Sequence, residues 1–498
     1  MILQIIYTIS AAVLLIPLTF HVREWWSRCR FSKRHGCQPL SRLKTLDPVF
    51  GLDHLLEIKE AAANHRVLEC WHKRHFVEYG HTFQMNLVGN DIIMTREPEN
   101  IQAILATKFH DFEIGERRRI ISKKFAGVGF LNADGHVWQL ARALARPGFM
   151  KSQINLDMFE KHLNVWFCSL PNSSSPVDFQ QWAFRYTLDV ASDFLFGSSP
   201  GILSAGATET ARKFAWAFDV GTEGIAQRIR LGKLAWLYRN SEENEACQIV
   251  HDYIDAMVSV AVAARSTCPQ EHEGDGGSFL HALVNTGMTQ EEIRFQMLSL
   301  LLGGRDTTAC LMSAAMWEIS RRPNVQARLR QEMSKISGMR PSIKDLKEMT
   351  YLTWVLRETL RLYPPVPMNS RRAARDTCLP RGGGPDGSHP IFVRKGQEVM
   401  YQVWSMHRRT DLWGEDADDF NPDRWATARQ HFNFLPFNAG PRICLGQQFA
   451  YAEAGYVLVR FLQEYSRIEG VDTQQPWTEK LGLTCCILQG VQVKLLRA

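Results

Sequence analysis

Polarity divides the chain at its first residues. Met1 to Val22 contains no Asp, Glu, Lys or Arg, and about 20 helical residues suffice to cross the ~30 Å hydrocarbon core of a bilayer. No cation precedes the run and it is long for a cleaved signal, so residues 1–22 are expected to be a signal anchor that stays in the protein. Arg23, Arg28, Arg30, Lys33 and Arg34 follow against Glu24 alone, with Trp25 and Trp26 at the expected interface. By the positive-inside rule the remainder lies in the cytosol. Residues 23–50 are basic, then aperiodic with Pro39 and Pro48, which predicts a linker. From 51 to 498 the apolar positions recur mostly at helical spacing. They predict helices over 97–108, 134–147, 153–169, 206–239, 243–264, 289–321, 324–337, 351–362 and 445–465. Strand-like alternation is confined to 82–95, 391–403 and 481–496. Two polar, Gly-rich stretches, 266–277 and 380–390, predict loops. The expected fold class is mainly α: an α+β domain of many helices with a small sheet, after one transmembrane helix.

Composition changes this picture little. The 498 residues are 45% hydrophobic with a formal net charge of +6, too small for that length to point to nucleic acid. The 11 cysteines show no CxxC and no zinc-like Cys/His spacing, so mostly reduced thiols are expected. Neither a GxGxxG fingerprint nor a P-loop is present, so the chain has no visible means of binding a nicotinamide or ATP by itself.

One cysteine has a distinct context. In FNAGPRICLGQQFAYAEAGYVLVRFL (437–462) a helix is expected from about Leu445, with Cys444 just before it. Free backbone N–H groups and the helix dipole at that end should lower a thiol's pKa and suit it to bind a metal. Gly440 and Gly446 allow close approach of backbone to a flat cofactor. Arg442 can pair with an acidic edge of it, and Phe437 can cover the sulfur. A buried structural cysteine is the plain alternative, but it does not require Phe, Gly, Arg, Cys and Gly at fixed offsets.

That pattern, FxxGxRxCxG, resembles the cysteine-ligand loop of the cytochrome P-450 family. The resemblance implies non-covalent haem b, iron protoporphyrin IX, with Cys444 as axial ligand to the iron; such a thiolate pushes electron density to the metal and favours O–O cleavage. Three further motifs appear upstream. LLLGGRDTTACLMSAAMW (300–317) lies in a helix opened by a Thr289/Glu292 capping box. It places Gly303 and Gly304 mid-helix, each costing ~1 kcal/mol relative to Ala. In the family this is the oxygen-binding groove, with Thr307 and Asp306 as the catalytic pair that handles dioxygen and its protons. Taken alone, it is equally a small-residue packing site with Thr back-bonding to its own helix. RETLRLYPPVP (357–367) holds Glu358 and Arg361, an ordinary surface pair by spacing, but by resemblance a buried pair completed by Arg424 of FNPDRW (420–425). Trp425 stands there where phenylalanine is commoner. WQLARALARPGF (138–149) offers Trp138 and Arg142 to a haem propionate, with Arg371 a further candidate.

HGCQPL, FHDFEIGERRR (109–119), RRAARDTCLPRGGGPDG (371–387) and CLGQQFAYAEAGYVLVRFLQ (444–463) resemble more narrowly the fungal n-alkane and fatty-acid hydroxylase branch. Gly303 and Ala439 depart from it. The resemblance implies a monooxygenase of the endoplasmic reticulum membrane, single-pass and facing the cytosol. It would take electrons from an NADPH-dependent diflavin reductase, consume O2, and hydroxylate the terminal carbon of an alkane or fatty acid. Phe125 to Leu131, Leu298, Leu302, Val366, Met368, Leu483 and Thr484 are expected to border the substrate. Tailoring of a polyketide or terpenoid is the alternative substrate reading. An electron-independent haem-thiolate isomerase or dehydratase, and a non-catalytic haem carrier, are the alternatives of other classes.

Overall fold

The computed structural model describes residues 22–150, 154–171, 175–267, 279–336 and 338–497. Apart from Val22, the expected anchor lies outside them, as does the expected loop 266–277 beyond its first two residues. Residues 22–34 are helical, and Trp25 and Trp26 are exposed. Two compact units form. One comprises the described residues up to Leu55, Lys73–Glu113 and Ser370–Tyr401; the other comprises Leu56–His72, Ile114–Asn369 and the residues from Gln402 onward.

The first unit holds most of the largest sheet, which has five strands. Thr82–Leu87 runs antiparallel to Asn90–Thr95, which runs parallel to Glu398–Gln402. The expected strand 82–95 is thus a hairpin turning at Val88 and Gly89. The linker is tied down: Leu43 N–H donates to the Gln84 carbonyl at 2.8 Å, and Gln84 N–H to that of Ser41 at 2.8 Å. The 380–390 stretch, expected as a loop, is instead largely strand, with Thr377–Gly383 pairing antiparallel with His389–Val393. A Cβ on Gly383 would meet the Pro390 carbonyl oxygen at 2.6 Å, so this glycine permits close backbone approach within a strand.

The second unit is the helical body: α1 (Glu116–Ala126), α2 (Gly135–Ala145), α3 (Leu156–Ser169), α4 (Phe179–Phe196), α5 (Glu209–Leu231), α6 (Glu243–Thr267), α7 (Gln290–Arg321), α8 (Thr350–Leu362) and α9 (Gln447–Glu464). The long helix α7 starts at the expected capping box, with Thr289 and Glu292 bonding reciprocally. From Gln296 to Ser320 it is buried everywhere except Gly303, Gly304 and Thr307. Such all-round burial marks a core helix. On α3, α4 and α9, Trp166 meets Phe179, Tyr186 and Phe461 with centroids 4.9–5.4 Å apart. Helix α6 is long and apolar enough to cross a membrane by length and composition. Its buried stripe of Ala246, Val250, Ile254, Val258 and Ala261 belongs to the same core cluster as α5 and α7 residues.

Beneath these helices Glu358 is wholly buried. It accepts from Arg361 Nη2 (2.7 Å) and Nε (2.9 Å), from Arg424 Nε (2.9 Å), from Asn421 N–H (2.9 Å) and from the Trp425 indole N–H (3.0 Å). Arg361 spends its other N–H groups on the carbonyls of His407 (2.8 Å), Ala417 (2.5 Å) and Asp419 (3.0 Å). Saturation of every donor is what makes so deep a pair tolerable. Removing one partner of such a pair costs roughly 3–5 kcal/mol. Glu358→Gln should therefore lower the unfolding free energy by that order, read as a lower urea midpoint at unchanged slope; an unchanged midpoint would deny the knot its structural weight.

Candidate active site

The loop before α9 is closed by its own backbone and pegged from behind. Asn438 and Gly440 take positive φ (61° and 66°), and Gly440–Arg442 forms a single 3-10 turn with Pro441 inside it. Cys444 N–H donates to the Phe437 carbonyl at 2.9 Å. At the loop's start, Leu435 N–H donates to His407 Nε2 at 2.9 Å, while His407 Nδ1 lies 3.1 Å from the Arg361 carbonyl. Both ring nitrogens being engaged, the imidazole is neutral with its proton on Nδ1; burial pushes its pKa down to about 3. Thus the Glu358–Arg361 pair and the cysteine loop are joined through one histidine.

Cys444 is interior yet accessible. Its surroundings desolvate the thiol and push its pKa up, against the Gly446 N–H and Arg142, which pull it down; its surface is nevertheless exposed. Both hold when a group lies at the wall of a hollow. The expectation of a thiol acidified by the helix end is therefore corrected: the pull is there, but burial outweighs it. A desolvated sulfur becomes thiolate most readily beside a cation such as a metal. Phe437 packs toward Tyr451, centroids 5.2 Å apart, and a Cβ on Gly446 would lie 3.9 Å from the sulfur.

Trp138, Arg142 and Arg442 come together. The Arg442 guanidinium lies 4.3 Å and that of Arg142 5.9 Å from the Trp138 ring, a cation–π pairing of the kind that orders arginines. Arg142 donates to the Ile443 carbonyl at 2.9 Å. Arg442 donates to Asp134 at 2.8 Å and to the Ala133 carbonyl at 2.9 Å. Arg371 belongs to the other unit, where it is buried and its guanidinium lies 5.8 Å from the Tyr401 ring.

The break in the burial of α7 is a stripe at i, i+1 and i+4: Gly303, Gly304 and Thr307. Among the described residues a Cβ on Gly303 would meet nothing within 4 Å, so the helix borders open space there, although it is continuous by backbone bonding. The Thr307 hydroxyl donates to the Gly303 carbonyl at 2.6 Å, leaving its oxygen to accept from the open side. Asp306 is buried beside Arg305, whose Nη1 lies 3.1 Å from its carboxylate.

A soft sulfur at a hollow, two arginines ordered on an indole, and a helix opened by glycines fit a flat, anionic, iron-bearing cofactor. The family model described as Cytochrome P450 matches residues 44–488. The chain belongs to the cytochrome P450 family. It is 41% identical over 483 residues to cytochrome P450 monooxygenase himC of Aspergillus japonicus, covering 94% of this chain and 86% of that one. Against cytochrome P450 monooxygenase FPY7 of Fusarium mangiferae the figures are 36% over 500 residues, 98% and 96%. Against cytochrome P450 52A6 of Candida tropicalis they are 36% over 484 residues, 91% and 92%. The protein is thus a P450 monooxygenase, an oxidoreductase that holds haem b through a cysteine thiolate and uses a redox-partner reductase, O2 and a hydrophobic substrate. Haem, when bound, supplies the iron at which dioxygen is activated and one oxygen atom is inserted into substrate.

Sequence reasoning did not single out His407, Asp134 or Arg305. His407 and Asp134 are single polar residues whose partners are distant in sequence, so no local pattern announces them. Arg305 lies inside the GGRDTT motif, and an arginine amid the apolar positions of a core helix is a signal in itself. Because Cys444 alone has this loop, Cys444→Ala should abolish the thiolate-type spectrum of the reduced carbonyl complex; a normal spectrum would assign the ligand to another cysteine.

Proposed function

We propose that this P450 takes its iron on Cys444 and hydroxylates a long, apolar chain at or near its end. The observation that carries the reading is the one accessible stripe of α7, Gly303–Gly304–Thr307, in a helix otherwise buried from Gln296 to Ser320. Thr307 is the one residue of that stripe with a hydroxyl, and Asp306, next to it, is the carboxyl group that would renew its proton. Arg142 and Arg442 would hold the cofactor's carboxylates. Glu358, Arg361 and Arg424 act only by supporting the loop.

Among the residues expected at the substrate, Val128 and Leu131 are exposed, and Phe130, Val366, Met368, Leu483 and Thr484 are half-buried. Phe125, Leu298 and Leu302 are buried in the core, Phe125 against Phe218 of α5, and are unsuited to touch substrate. The remaining surface is nearly all apolar, so it discriminates by shape and contact rather than by hydrogen bonds. This suits an n-alkane or fatty acid entering methyl first, in keeping with the resemblance of the HGCQPL, FHDFEIGERRR and PRGGGPDG segments. A rigid polyketide or terpenoid is the second reading. The departures at Gly303 and Ala439 keep it open, and the Aspergillus and Fusarium relatives, which match as well as the 52A enzyme, bear names that state no substrate.

Electrons would come from an NADPH-dependent diflavin reductase in the endoplasmic reticulum membrane, to which residues 1–22 anchor the chain with its body in the cytosol. The exposed Arg146 and neighbouring cations of the cysteine side would meet the reductase's acidic surface. Gly303 has no side chain to esterify haem, so the haem should extract fully into acidic organic solvent; haem retained on the denatured chain would contradict this.

The substrate reading is tested with membranes co-expressing the reductase and a ladder of saturated acids and alkanes. Each added methylene should tighten binding roughly fourfold, from ~0.8 kcal/mol of burial, up to a clear optimum, with terminal alcohols as products. No turnover of any acid or alkane would end this reading in favour of the rigid substrate. Turnover with NADPH but without reductase would refute the electron source.

A further inference from the structure

Arg305 is an arginine in the middle of a core helix, and its side chain is 5% exposed. Its guanidinium lies between the rings of Phe184 on α4 (5.3 Å) and Phe218 on α5 (5.0 Å). One nitrogen, Nη1, serves two carboxylates: Asp219 of α5 at 2.6 Å and Asp306 of its own helix at 3.1 Å. The two differ in setting. The Asp306 side chain is 9% exposed, that of Asp219 63%. Among the described residues the buried Arg305 Nε has no acceptor, unlike Arg361, whose every N–H is used. A buried, incompletely paired cation is a poor stabiliser, since apolar residues of similar volume do as well or better. Its presence calls for another role.

We propose that Arg305 is a positioning residue for the proton-handling carboxylate Asp306, and that Asp219, from the facing helix α5, competes for the same guanidinium and so sets how firmly Asp306 is held. This deepens the reading of Asp306 given above and rests on it. The shorter contact goes to the exposed partner, so in this conformation Arg305 is turned partly away from Asp306. Loss of the Asp219 contact, by substitution or by movement of α5, hands the whole cation to Asp306. Burial raises the pKa of Asp306 before any other influence; of the charges acting on it, Arg305 from its own helix pulls it down and Asp219 from α5 pushes it up. Cys310, one turn along α7, and Cys486, on the facing strand Cys485–Ile487, feel Asp306 in turn, both carrying thiols.

The signs follow. A carboxyl group donates protons below its pKa and fails above it. Removing Arg305 raises that pKa, and removing Asp219 lowers it. The readout is product formed per NADPH oxidised, measured across pH in the reductase-reconstituted holoenzyme. Asp219→Asn, at an exposed position, should move the alkaline limb of coupling to lower pH by roughly 1 unit, the size of effect of one nearby charge. Arg305→Met should move it to higher pH, and Arg305→Lys should bring it part of the way back. Normal reduced-carbonyl spectra would establish that each variant is folded; if Arg305→Met fails there, Asp219→Asn and Arg305→Lys decide. Limbs that stay in place while coupling falls at every pH, or that move in the same direction, overturn the proposal. Asp306→Asn separates the two readings. A limb that survives it would overturn the role of Asp306 itself; a limb abolished by it, yet indifferent to Asp219 and Arg305, would overturn only this inference.

Discussion

A single carboxylate, that of Glu358, holds the second unit's chemistry in register. Its five donors come from α8 and from the segment Asn421–Trp425, and one of them, Arg361, is pinned in turn by three carbonyls. The charges are so deep that the arrangement has no partial state: water cannot replace a missing donor there. From the same α8 carbonyl that faces His407, the linkage runs to Leu435 and so to the loop carrying Cys444. A cysteine on a loop is ordinarily free to wander. Here it inherits the rigidity of a helix eighty residues earlier in the chain.

The knot also explains a departure from the family's pattern. Trp425 stands where phenylalanine is commoner, and its indole N–H supplies a fifth donor to Glu358 while its ring packs with those of Trp413 and Phe434. Phenylalanine would fill much of the same volume without the donor. The substitution adds a hydrogen bond to a charged acceptor without asking for new space, the kind of bond that contributes most when buried.

What could be read in the sequence was whatever is encoded locally. The Cys444 loop, the α7 glycines, the Thr289/Glu292 box and the WxxxR and ExxR spacings all lie within one turn or two of helix. Helix α4 escaped because Ala183, Tyr186, Thr187, Asp189, Val190 and Ser192 are buried on several faces, so no stripe of one period stands out. Its ends were marked all the same, by the Asp178 cap and by Gly197 in the left-handed region. Helix α1 escaped for the opposite reason: ERRRIISKK is so charged that its short buried face is hard to see. The strand ending at Gly383 was hidden by glycine, which signals a turn unless another backbone is known to lie against it. Arg305, Asp134 and His407 required three-dimensional partners from distant segments, and no window along the chain contains those.

The histidine peg has a consequence for how the protein meets acid. His407 is held neutral with a pKa near 3, against 6.5 in an open chain. The unfolded chain therefore takes up a proton that the folded one refuses, and the stability lent by this ring is whole above pH 6.5 and drains away as the pH falls toward 3. Its loss is felt first where the ring is attached, at Leu435 and the start of the metal-binding loop. Acidification toward pH 3 would thus weaken the frame behind the sulfur, a failure of the scaffold distinct from protonation of the sulfur itself.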